Sequence, residues 1–460
     1  MQLLALLACA LLVPSLHGHP IRPRAQRNSG LLTLPVRRVE RNTDLHVDLR
    51  HQQNINRAQR LVARAAGLPG PSDVELLQNL HRRAEFIPEL ERRFNIPQAN
   101  AGLPTIETSG IAKLAVENDD DTSDNAPPKL ANFSSVIEID GADTSYVITV
   151  QIGTPARDFN LILDSGSGDL WVSSDQCTSE NGSGCGNHTF LGSDVSSSFV
   201  NSRKKWSITY GSGFANGEIV NDTIVIAGMV MNDHTFGVAH SISSSFSGDT
   251  IADGLMGLSK SGLSTQGVPT PVEALRNLGF FKSAITSYRL PRLIDNENNG
   301  EVTFGGLDET KFDPSTRVDI NASNSSFWII PLEGVSVDGQ SVAVNSTEAL
   351  MDNGTTLLVV PTADAVALHS QIPGAKQQGS GQFSIPCDTT TNVSLRFGGR
   401  DFAIDPKDLV FASRGRKTGD CTSGIGSFDD DKWLVGDTFL KAVYFSTNVD
   451  ANTVTLAKAI

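Results

Sequence analysis

The chain has 460 residues, with 51 acidic against 37 basic side chains and a formal net charge of −14. This length exceeds that of one typical domain and allows two, each with a buried core. An acidic balance of this size argues against nucleic acid as a partner, because phosphate contacts require Lys and Arg.

The N-terminus, MQLLALLACALLVPSL, carries an apolar run that ends at Pro14. The run is too short to span a bilayer and indicates a secretory signal peptide over residues 1–18, although no Lys or Arg precedes it. Cys9 would leave with this peptide. No later apolar run approaches the roughly 18 residues of a membrane span, so no membrane partner is expected. The predicted location is extracellular, with a vacuolar lumen as the alternative.

Residues 19–130 differ in composition from the rest and are predicted to be a propeptide followed by an acidic linker. Residues 19–100 hold 14 Arg, no Lys and 8 acids, whereas residues 130–460 hold 37 acids and 21 bases. The stretch VELLQNLHRRAEFIPELERRF has helical periodicity with Arg on its polar side, and VENDDDTSDNAPPKLANFSS is typical of an exposed segment. The leader is therefore predicted to be a separate, detachable piece.

From Val136 onward, short alternating runs broken by Gly, Asn and Ser predict an all-β body with a few helical patches. Two similar motifs lie 188 residues apart in this body, NLILDSGSGDLWV around Asp164 and EALMDNGTTLLVVP around Asp352. DGLMGL follows the first motif, and WLVGDTFL follows the second at a similar distance. Two motifs repeated in the same order indicate an internal duplication, in which each half contributes one carboxylate.

Two aspartates brought together by such a duplication can perform general acid–base chemistry. They cannot both ionise cheaply, so one keeps its proton while the other stays charged. A water between them can lose a proton to the charged Asp while it attacks a carbonyl polarised by the protonated one, with no metal or cofactor. Each Asp is followed by a glycine suited to a tight turn, Gly166 or Gly354. A hydroxyl residue able to orient the carboxylate comes next, Ser167 or Thr355.

Cysteines and glycosylation sequons agree with an oxidising compartment. Four cysteines remain after the signal peptide and permit three pairings, of which the local one is the most economical: Cys177 with Cys185 and Cys387 with Cys421. Eight sequons are candidates for glycans, at Asn132, Asn181, Asn187, Asn221, Asn321, Asn324, Asn345 and Asn392. Asn353 also begins a sequon, but a glycan beside Asp352 would fill the proposed site, so we discount it.

Together, LILDSGSGDLWV, WSITYGSGFANG, DGLMGL, LMDNGTTLL and WLVGDTFL resemble the pepsin-like aspartic peptidases, particularly those secreted by fungi. The resemblance runs from about Asp140 to Ile460 and implies a bilobal all-β fold with one catalytic Asp per lobe, Asp164 and Asp352, and an extended substrate between the lobes. We place the N-terminal lobe at residues 131–310 and the C-terminal lobe at residues 311–460.

The resemblance also assigns a role to TYGSG, which alone reads as a hairpin tip. It matches the flap that closes over substrate in the family, so Tyr210, Gly211 and Ser212 would contact the peptide and Trp171 would support the Tyr. Some fungal relatives carry Asp at the position of Ser212 and accept Lys beside the scissile bond. Lacking that charge, this protein is expected to prefer apolar residues there.

One position departs from the family pattern. Family members normally have Thr or Ser after each catalytic Asp, and these hydroxyls brace the two loops across the site. Ser165 fits the pattern, whereas Asn353 brings a longer, planar amide that can still donate and accept hydrogen bonds. We expect an active enzyme of altered geometry, and the alternative is a catalytically impaired binding glycoprotein that keeps the peptidase fold.

The predicted function is that of a secreted aspartic endopeptidase that cleaves proteins or peptides at acidic pH. The resemblance implies that the basic leader inhibits the acidic cleft until acid releases it, with cleavage between about Gln98 and Asn132; no individual leader residue is named as the blocking group. The sequence lacks G-x-S-x-G and H-E-x-x-H, which argues against serine and zinc hydrolases. A monomer is the default state.

Overall fold

The computed structural model describes residues 26–28, 31–38, 46–85, 87 and 145–460, the last range without 181, 183, 212, 248–250, 296–298, 380 and 414–418. Several predicted features lie outside the described residues: the signal peptide at residues 1–18 with Cys9, the cleavage region between Gln98 and Asn132, the sequon asparagines Asn132 and Asn181, and Ser212. Among the described residues, no helix is long and apolar enough to cross a membrane.

The leader contributes two strands and two helices: β1 (Gln26–Asn28), β2 (Leu31–Arg38), α1 (Val47–Ala65) and α2 (Asp73–Ala84). Helix α2 begins with a capping box, in which the Ser72 side chain and the Glu75 side chain each bond the other's backbone N–H. The apolar side chains Ile55, Ala58 and Val62 recur at helical spacing on α1 and pack against the body. The helical periodicity predicted for the first half of VELLQNLHRRAEFIPELERRF is thus confirmed.

The body is built mainly from strands. Its first half contains β3 (Tyr146–Ile152), β4 (Arg157–Asp164), β5 (Leu170–Ser179), β6 (Val200–Tyr210), β7 (Gly213–Ile226), β8 (Met229–Ile242), α3 (Ser244–Ser247), β9 (Gly254–Gly257), α4 (Pro271–Asn277), β10 (Ile285–Arg289) and β11 (Gly300–Phe304). Its second half contains β12 (Val318–Asn321), β13 (Ile329–Pro331), β14 (Gly334–Val337), β15 (Gln340–Val342), β16 (Glu348–Met351), β17 (Leu358–Pro361), α5 (Thr362–Ser370), β18 (Lys376–Gln377), β19 (Phe383–Pro386), β20 (Val393–Phe397), β21 (Arg400–Ile404), β22 (Val410–Ser413), β23 (Asp420–Ser423), β24 (Ile425–Phe428), β25 (Trp433–Val435), α6 (Asp437–Leu440), β26 (Val443–Asn448) and β27 (Thr453–Lys458).

A 14-stranded sheet joins the two halves of the body. Its order is β12-β27-β26-β10-β11-β2-β3-β4-β9-β5-β8-β7-β6, with β1 paired to β2. The leader strand β2 lies between β11 and β3, antiparallel to both, with Thr33 opposite Thr303 and Arg37 opposite Val147. Three smaller sheets, β13-β16-β25-β17-β24, β15-β14-β20-β21 and β18-β19-β23-β22, complete the second half.

The duplicated motifs occupy equivalent places in the two halves. Strand β4, which ends at Asp164, runs parallel to β9, and β9 is antiparallel to β5. Strand β16, which ends just before Asp352, runs parallel to β25, and β25 is antiparallel to β17. The same three-strand arrangement therefore presents each Asp at the end of a buried strand. The strand-dominated fold agrees with the all-β, two-lobed prediction.

Both predicted disulfides form in the structure. Cys177 bonds Cys185 and Cys387 bonds Cys421, at sequence separations of 8 and 34 residues, so the local pairing is confirmed. Each bond ties a strand of its own half to a neighbouring segment, β5 in the first half and β23 in the second.

The two disulfides are expected to differ in their contribution to stability. A cross-link stabilises mainly by reducing the entropy of the unfolded chain, and the effect grows with the enclosed loop. Replacing both Cys387 and Cys421 by Ser should lower the free energy of unfolding by ~4 kcal/mol, and replacing Cys177 and Cys185 by ~2.5 kcal/mol. Urea titration monitored by tryptophan fluorescence measures both, and equal losses would contradict the loop-length argument.

Candidate active site

The carboxylate of Asp164 lies at the end of β4 and is fully buried. The turn that follows supplies its hydrogen bonds. The Gly166 backbone N–H donates to Asp164 Oδ1 at 2.9 Å, and the Ser167 hydroxyl donates to Oδ2 at 2.8 Å. Both donors favour the charged form of the carboxylate.

The carboxylate of Asp352 has the same surroundings in the second half. The Gly354 N–H donates to Asp352 Oδ1 at 2.9 Å, and the Thr355 hydroxyl donates to Oδ2 at 2.6 Å. Asp352 is also fully buried. The two hydroxyls predicted to orient the carboxylates do contact them, and the backbone N–H groups of the two predicted turn glycines add a second donor at each. The two sites are near copies of each other.

The two glycines explain how closely the aspartates approach. A side-chain carbon on Gly166 would overlap the carboxylate of Asp352, and one on Gly354 would overlap the carboxylate of Asp164. Each glycine thus leaves room for the opposite aspartate. The structure brings the predicted pair together face to face, and the D-x-G spacing is a packing requirement of that arrangement.

The residues after the two aspartates link the turns directly. The Ser165 N–H donates to Asn353 Oδ1 at 2.7 Å, and the Asn353 N–H donates to Ser165 Oγ at 3.0 Å. We call this pair of hydrogen bonds the brace. Asn353 is only 1% exposed, which leaves no space for a glycan in the folded protein and agrees with discounting its sequon.

The predicted flap is a hairpin beside the aspartates. Strand β6 ends at Tyr210 and pairs antiparallel with β7. The Trp171 Nε1–H donates to the Tyr210 hydroxyl at 2.9 Å, as expected, and the ring of Phe246 packs edge-on against both aromatic rings at 5.3 and 5.5 Å. Burial, together with the nearby charge of Asp164, raises the pKa of Tyr210 well above 10.0, so its hydroxyl stays protonated.

A leader side chain that the sequence did not single out lies between the two aspartates. Arg57 of α1 donates from Nη2 to Asp164 Oδ1 at 2.9 Å and from Nε to Asp352 Oδ2 at 3.3 Å. Its Nε also donates to the Thr355 hydroxyl oxygen at 2.9 Å. The guanidinium is 8% exposed, so the two carboxylates share one buried cation.

Helix α1 covers the site through further contacts on the same face as Arg57. Arg60 Nη1 donates to the carbonyl oxygen of Tyr210 at 2.6 Å, and Arg64 Nη2 donates to that of Leu263 at 2.9 Å. Gly211 in the flap packs so closely on the backbone of Arg57 that a side-chain carbon would overlap it. The three arginines recur at helical spacing, and this spacing is the only sequence signal that could have grouped them.

Residues 145–459 match the family model for eukaryotic aspartyl proteases. The chain belongs to the eukaryotic aspartyl protease family. It is 36% identical over 328 residues to Major aspartyl peptidase 1 of Cryptococcus neoformans, 33% identical over 312 residues to the aspartic-type endopeptidase ctsD of Aspergillus fumigatus and 35% identical over 314 residues to rhizopuspepsin of Rhizopus chinensis.

These matches cover 66%, 68% and 67% of this chain and 66%, 65% and 77% of the respective relatives. The chain therefore spans slightly less than two thirds of the length of the first two proteins. Family membership confirms the resemblance recognised from the motifs around Asp164 and Asp352, and the pepsin-like fold with it. Among the described residues of this family member, no cluster of His, Cys, Asp or Glu is arranged to hold a metal ion.

The two carboxyl groups have pKa values on opposite sides of their ordinary value of 3.8. Burial tends to raise the pKa of Asp164, but the charge of Arg57 and the hydrogen bonds from Ser167 and Gly166 outweigh it, so the pKa is lowered. Burial also raises the pKa of Asp352, where Arg57 opposes the shift and repulsion from Asp164 adds to it. Asp164 is thus the charged partner, and Asp352 is the one that holds a proton more tightly.

Substituting Gly354 tests the close approach of the pair. Gly354→Ala should lower peptide-bond cleavage by at least about a hundredfold, because the new methyl group displaces the Asp164 carboxylate from a geometry that tolerates roughly 1 Å. Gly334→Ala is the matched control, since a side-chain carbon there meets its nearest neighbour, Arg396, at 3.8 Å. Cleavage of an unfolded protein substrate measures both variants, and equal activity would contradict the packing argument.

Proposed function

We propose that this protein is an aspartic endopeptidase that hydrolyses internal peptide bonds of proteins at acidic pH. The observation that carries the proposal is the pair of buried carboxylates, Asp164 and Asp352, which face each other with matching hydrogen-bond donors. Membership of the aspartyl protease family supports the same reaction. A peptide in extended conformation is the proposed substrate, and Tyr210 with its hairpin would lie over it.

In the proposed reaction, a water molecule between the carboxyl groups attacks the peptide carbonyl. Asp164, the charged partner, takes a proton from the water, and Asp352, the protonated partner, gives its proton to the carbonyl oxygen. A tetrahedral diol results. Asp164 then gives its proton to the amide nitrogen, the C–N bond breaks, and a diol hydroxyl returns its proton to Asp352, which yields an acid and an amine and restores the starting protonation.

The reaction requires one charged and one protonated carboxyl group, which predicts a bell-shaped pH dependence. Activity falls at low pH when Asp164 gains a proton, and at higher pH when Asp352 loses one. The positive charge of Arg57 favours both ionised forms, so its departure with the leader acts to raise both pKa values, whereas the exposure of the carboxyl groups that follows acts to lower them. The pH profile of the free enzyme measures the balance of these two effects.

The first experiment measures turnover. Purified precursor is held at about pH 3.5, where a carboxylate pair shares one proton, and given an unfolded protein with or without pepstatin. We expect leader loss and cleavage that pepstatin blocks, with a loss of at least about a thousandfold in Asp164→Asn and Asp352→Asn. Asp401→Asn, on the surface strand β21, is the control and should cleave like the wild type.

A folded, leader-free protein that leaves the substrate intact would overturn the proposal. It would favour the alternative of a binding glycoprotein that keeps the peptidase fold. Pepstatin binding measured on the same sample shows whether the cleft is open, so inactivity cannot be attributed to a leader that stayed in place.

The leader is proposed to be an inhibitory propeptide, which would make the protein a zymogen. Helix α1 occupies the space over the aspartates, and Arg57 contacts both of them. Arg60 and Arg64 attach the same helix to the flap and to the Leu263 carbonyl. A substrate cannot reach the two carboxyl groups while this helix is present.

Acid is the proposed trigger for release. The pKa of Asp164 is lowered in the leader-bound state, so its ion pair with Arg57 stabilises that state above the ordinary value of 3.8 and is lost as pH falls through the lowered value. Asp352, whose pKa is raised, takes up its proton at higher pH and gives up its ion pair first. Acidification thus removes the two attachments of Arg57 in sequence.

Arg57→Gln should move the midpoint of leader removal to higher pH by about one unit, because the neutral amide no longer pairs with ionised carboxylates. Arg82→Gln on α2 is the matched control, since it removes the same charge from an exposed side chain that contacts Asn79. Leader removal is followed by gel electrophoresis after incubation at stepped pH. A midpoint equal to that of the wild type in Arg57→Gln would contradict the role of this ion pair.

Secretion, with residues 1–18 as signal peptide and lobes at residues 131–310 and 311–460, remains part of the proposal. Five of the sequon asparagines described by the structure have exposed side chains, as glycan acceptors require: Asn187, Asn321, Asn324, Asn345 and Asn392. Asn221 differs, since it is half-buried and its amide nitrogen donates to the Asp233 carbonyl and the Thr235 hydroxyl. The proposed location is the extracellular space, with a vacuolar lumen as the alternative, and both suit an acid-activated enzyme. The proposed oligomeric state is a monomer.

A further inference from the structure

The brace uses only one end of the Asn353 side chain. Oδ1 accepts the Ser165 N–H at 2.7 Å, whereas Nδ2 has no acceptor among the residues that the structure describes. The side chain is 1% exposed, so the amide nitrogen is a buried donor. Asn353 thus satisfies one hydrogen bond across the site and leaves another unmade.

We infer that Asn353 is a positioning residue that holds the turn after Asp164 through its side-chain oxygen alone, at the expense of stability. This inference rests on the proposed endopeptidase function. Asn353 acts on Asp164 through the backbone of Ser165 and has no role in the proton transfers.

The bonds of the brace attach at the peptide units that adjoin the two aspartates. Ser165 N follows Asp164 directly, and Asn353 N follows Asp352 directly, so a shift of either peptide unit shifts the carboxylate beside it. Loss of the acceptor at position 353 would leave the Ser165 N–H buried and unpaired. The turn would then move to satisfy it, and displacements near 1 Å are enough to slow catalysis.

Ser165 shows that a hydroxyl on the β-carbon can reach across the site. Its Oγ accepts the Asn353 N–H at 3.0 Å, from the place that mirrors Asn353. A hydroxyl at position 353 should therefore accept the Ser165 N–H equally well. It would also remove the unpaired amide nitrogen, whose burial destabilises the fold.

The test compares three substitutions in the full precursor, activated by acid. Asn353→Thr keeps an acceptor without the unpaired nitrogen, Asn353→Asp keeps the shape and the acceptor but adds a charge, and Asn353→Leu keeps similar bulk without an acceptor. The measurements are kcat and KM on a peptide, the pH profile of kcat/KM, pepstatin titration of competent sites, and the Tm of the precursor.

We expect Asn353→Leu to lower kcat by about a hundredfold with KM within about threefold, since substrate binding does not use the brace. Asn353→Thr should restore kcat to within about threefold of the wild type and raise Tm by about 2 °C. Asn353→Asp should move the upper limb of the pH profile upward by about one unit, because a third carboxylate disfavours ionisation of the pair. The loss of kcat per pepstatin-titrated site in Asn353→Leu, with KM retained, is the result that a purely structural role would not give.

Three outcomes overturn the inference: Asn353→Leu with kcat near the wild-type value, Asn353→Thr as slow as Asn353→Leu, or Asn353→Thr with a lowered Tm. If Asn353→Leu does not fold, Asn353→Thr decides by comparison with the wild type: a kcat lower by more than about tenfold, or a lowered Tm, overturns the inference. Failure of the proposed function is recognised separately, by a wild-type protein without pepstatin-sensitive cleavage. In that case the order of Tm values, with Thr above Asn and Asn above Leu, still supports or overturns the single-acceptor brace.

Discussion

Two carboxylates buried against each other are the constraint on which the rest of this structure depends. A buried charge is costly unless it is paired or hydrogen-bonded, and two like charges in contact are costlier still. The protein meets this cost with a backbone N–H and a hydroxyl on each of Asp164 and Asp352, and with the guanidinium of Arg57 between them. The leader is thus part of the electrostatic balance of the site as well as its cover.

The duplication gives the two aspartates equivalent hydrogen-bond donors. A few residues nevertheless differ between the two halves of the site. Strands β4 and β16 present their aspartates in the same three-strand setting, so the local hydrogen bonds match. Ser165 in the first half lies opposite Asn353 in the second half, and Arg57 approaches Asp164 more closely than Asp352. The opposite pKa shifts arise on this unequal background, and the proposed acid and base follow from them.

The parts of the site that repeat could be predicted from the sequence. Asp164 and Asp352 could be identified because the same sequence motif occurs around both of them. The hairpin at Tyr210 could be predicted because its glycines lie between two strand-like runs of alternating apolar and polar residues. The local disulfides followed from spacing alone. Arg57 could not be found in this way, since residues 19–100 contain 14 Arg and only the docking of α1 distinguishes one of them. The residue type alone does not determine whether the oxygen or the nitrogen of the Asn353 side-chain amide forms the hydrogen bond to Ser165, because both orientations of the amide are possible.

The insertion of β2 in the large sheet was also beyond the reach of sequence patterns, because strand pairing at such separation has no local signal. It has a mechanical consequence. Among the described strands, β2 is the one that hydrogen-bonds to β11 on one side and β3 on the other, and the Arg37 side chain reaches Thr149 and Asn160. If the leader is removed as proposed, a strand leaves the middle of this sheet, and the edges of β11 and β3 that β2 covers become free to pair with another strand. The two halves that carry the aspartates stay joined, because β10 of the first half pairs directly with β26 of the second.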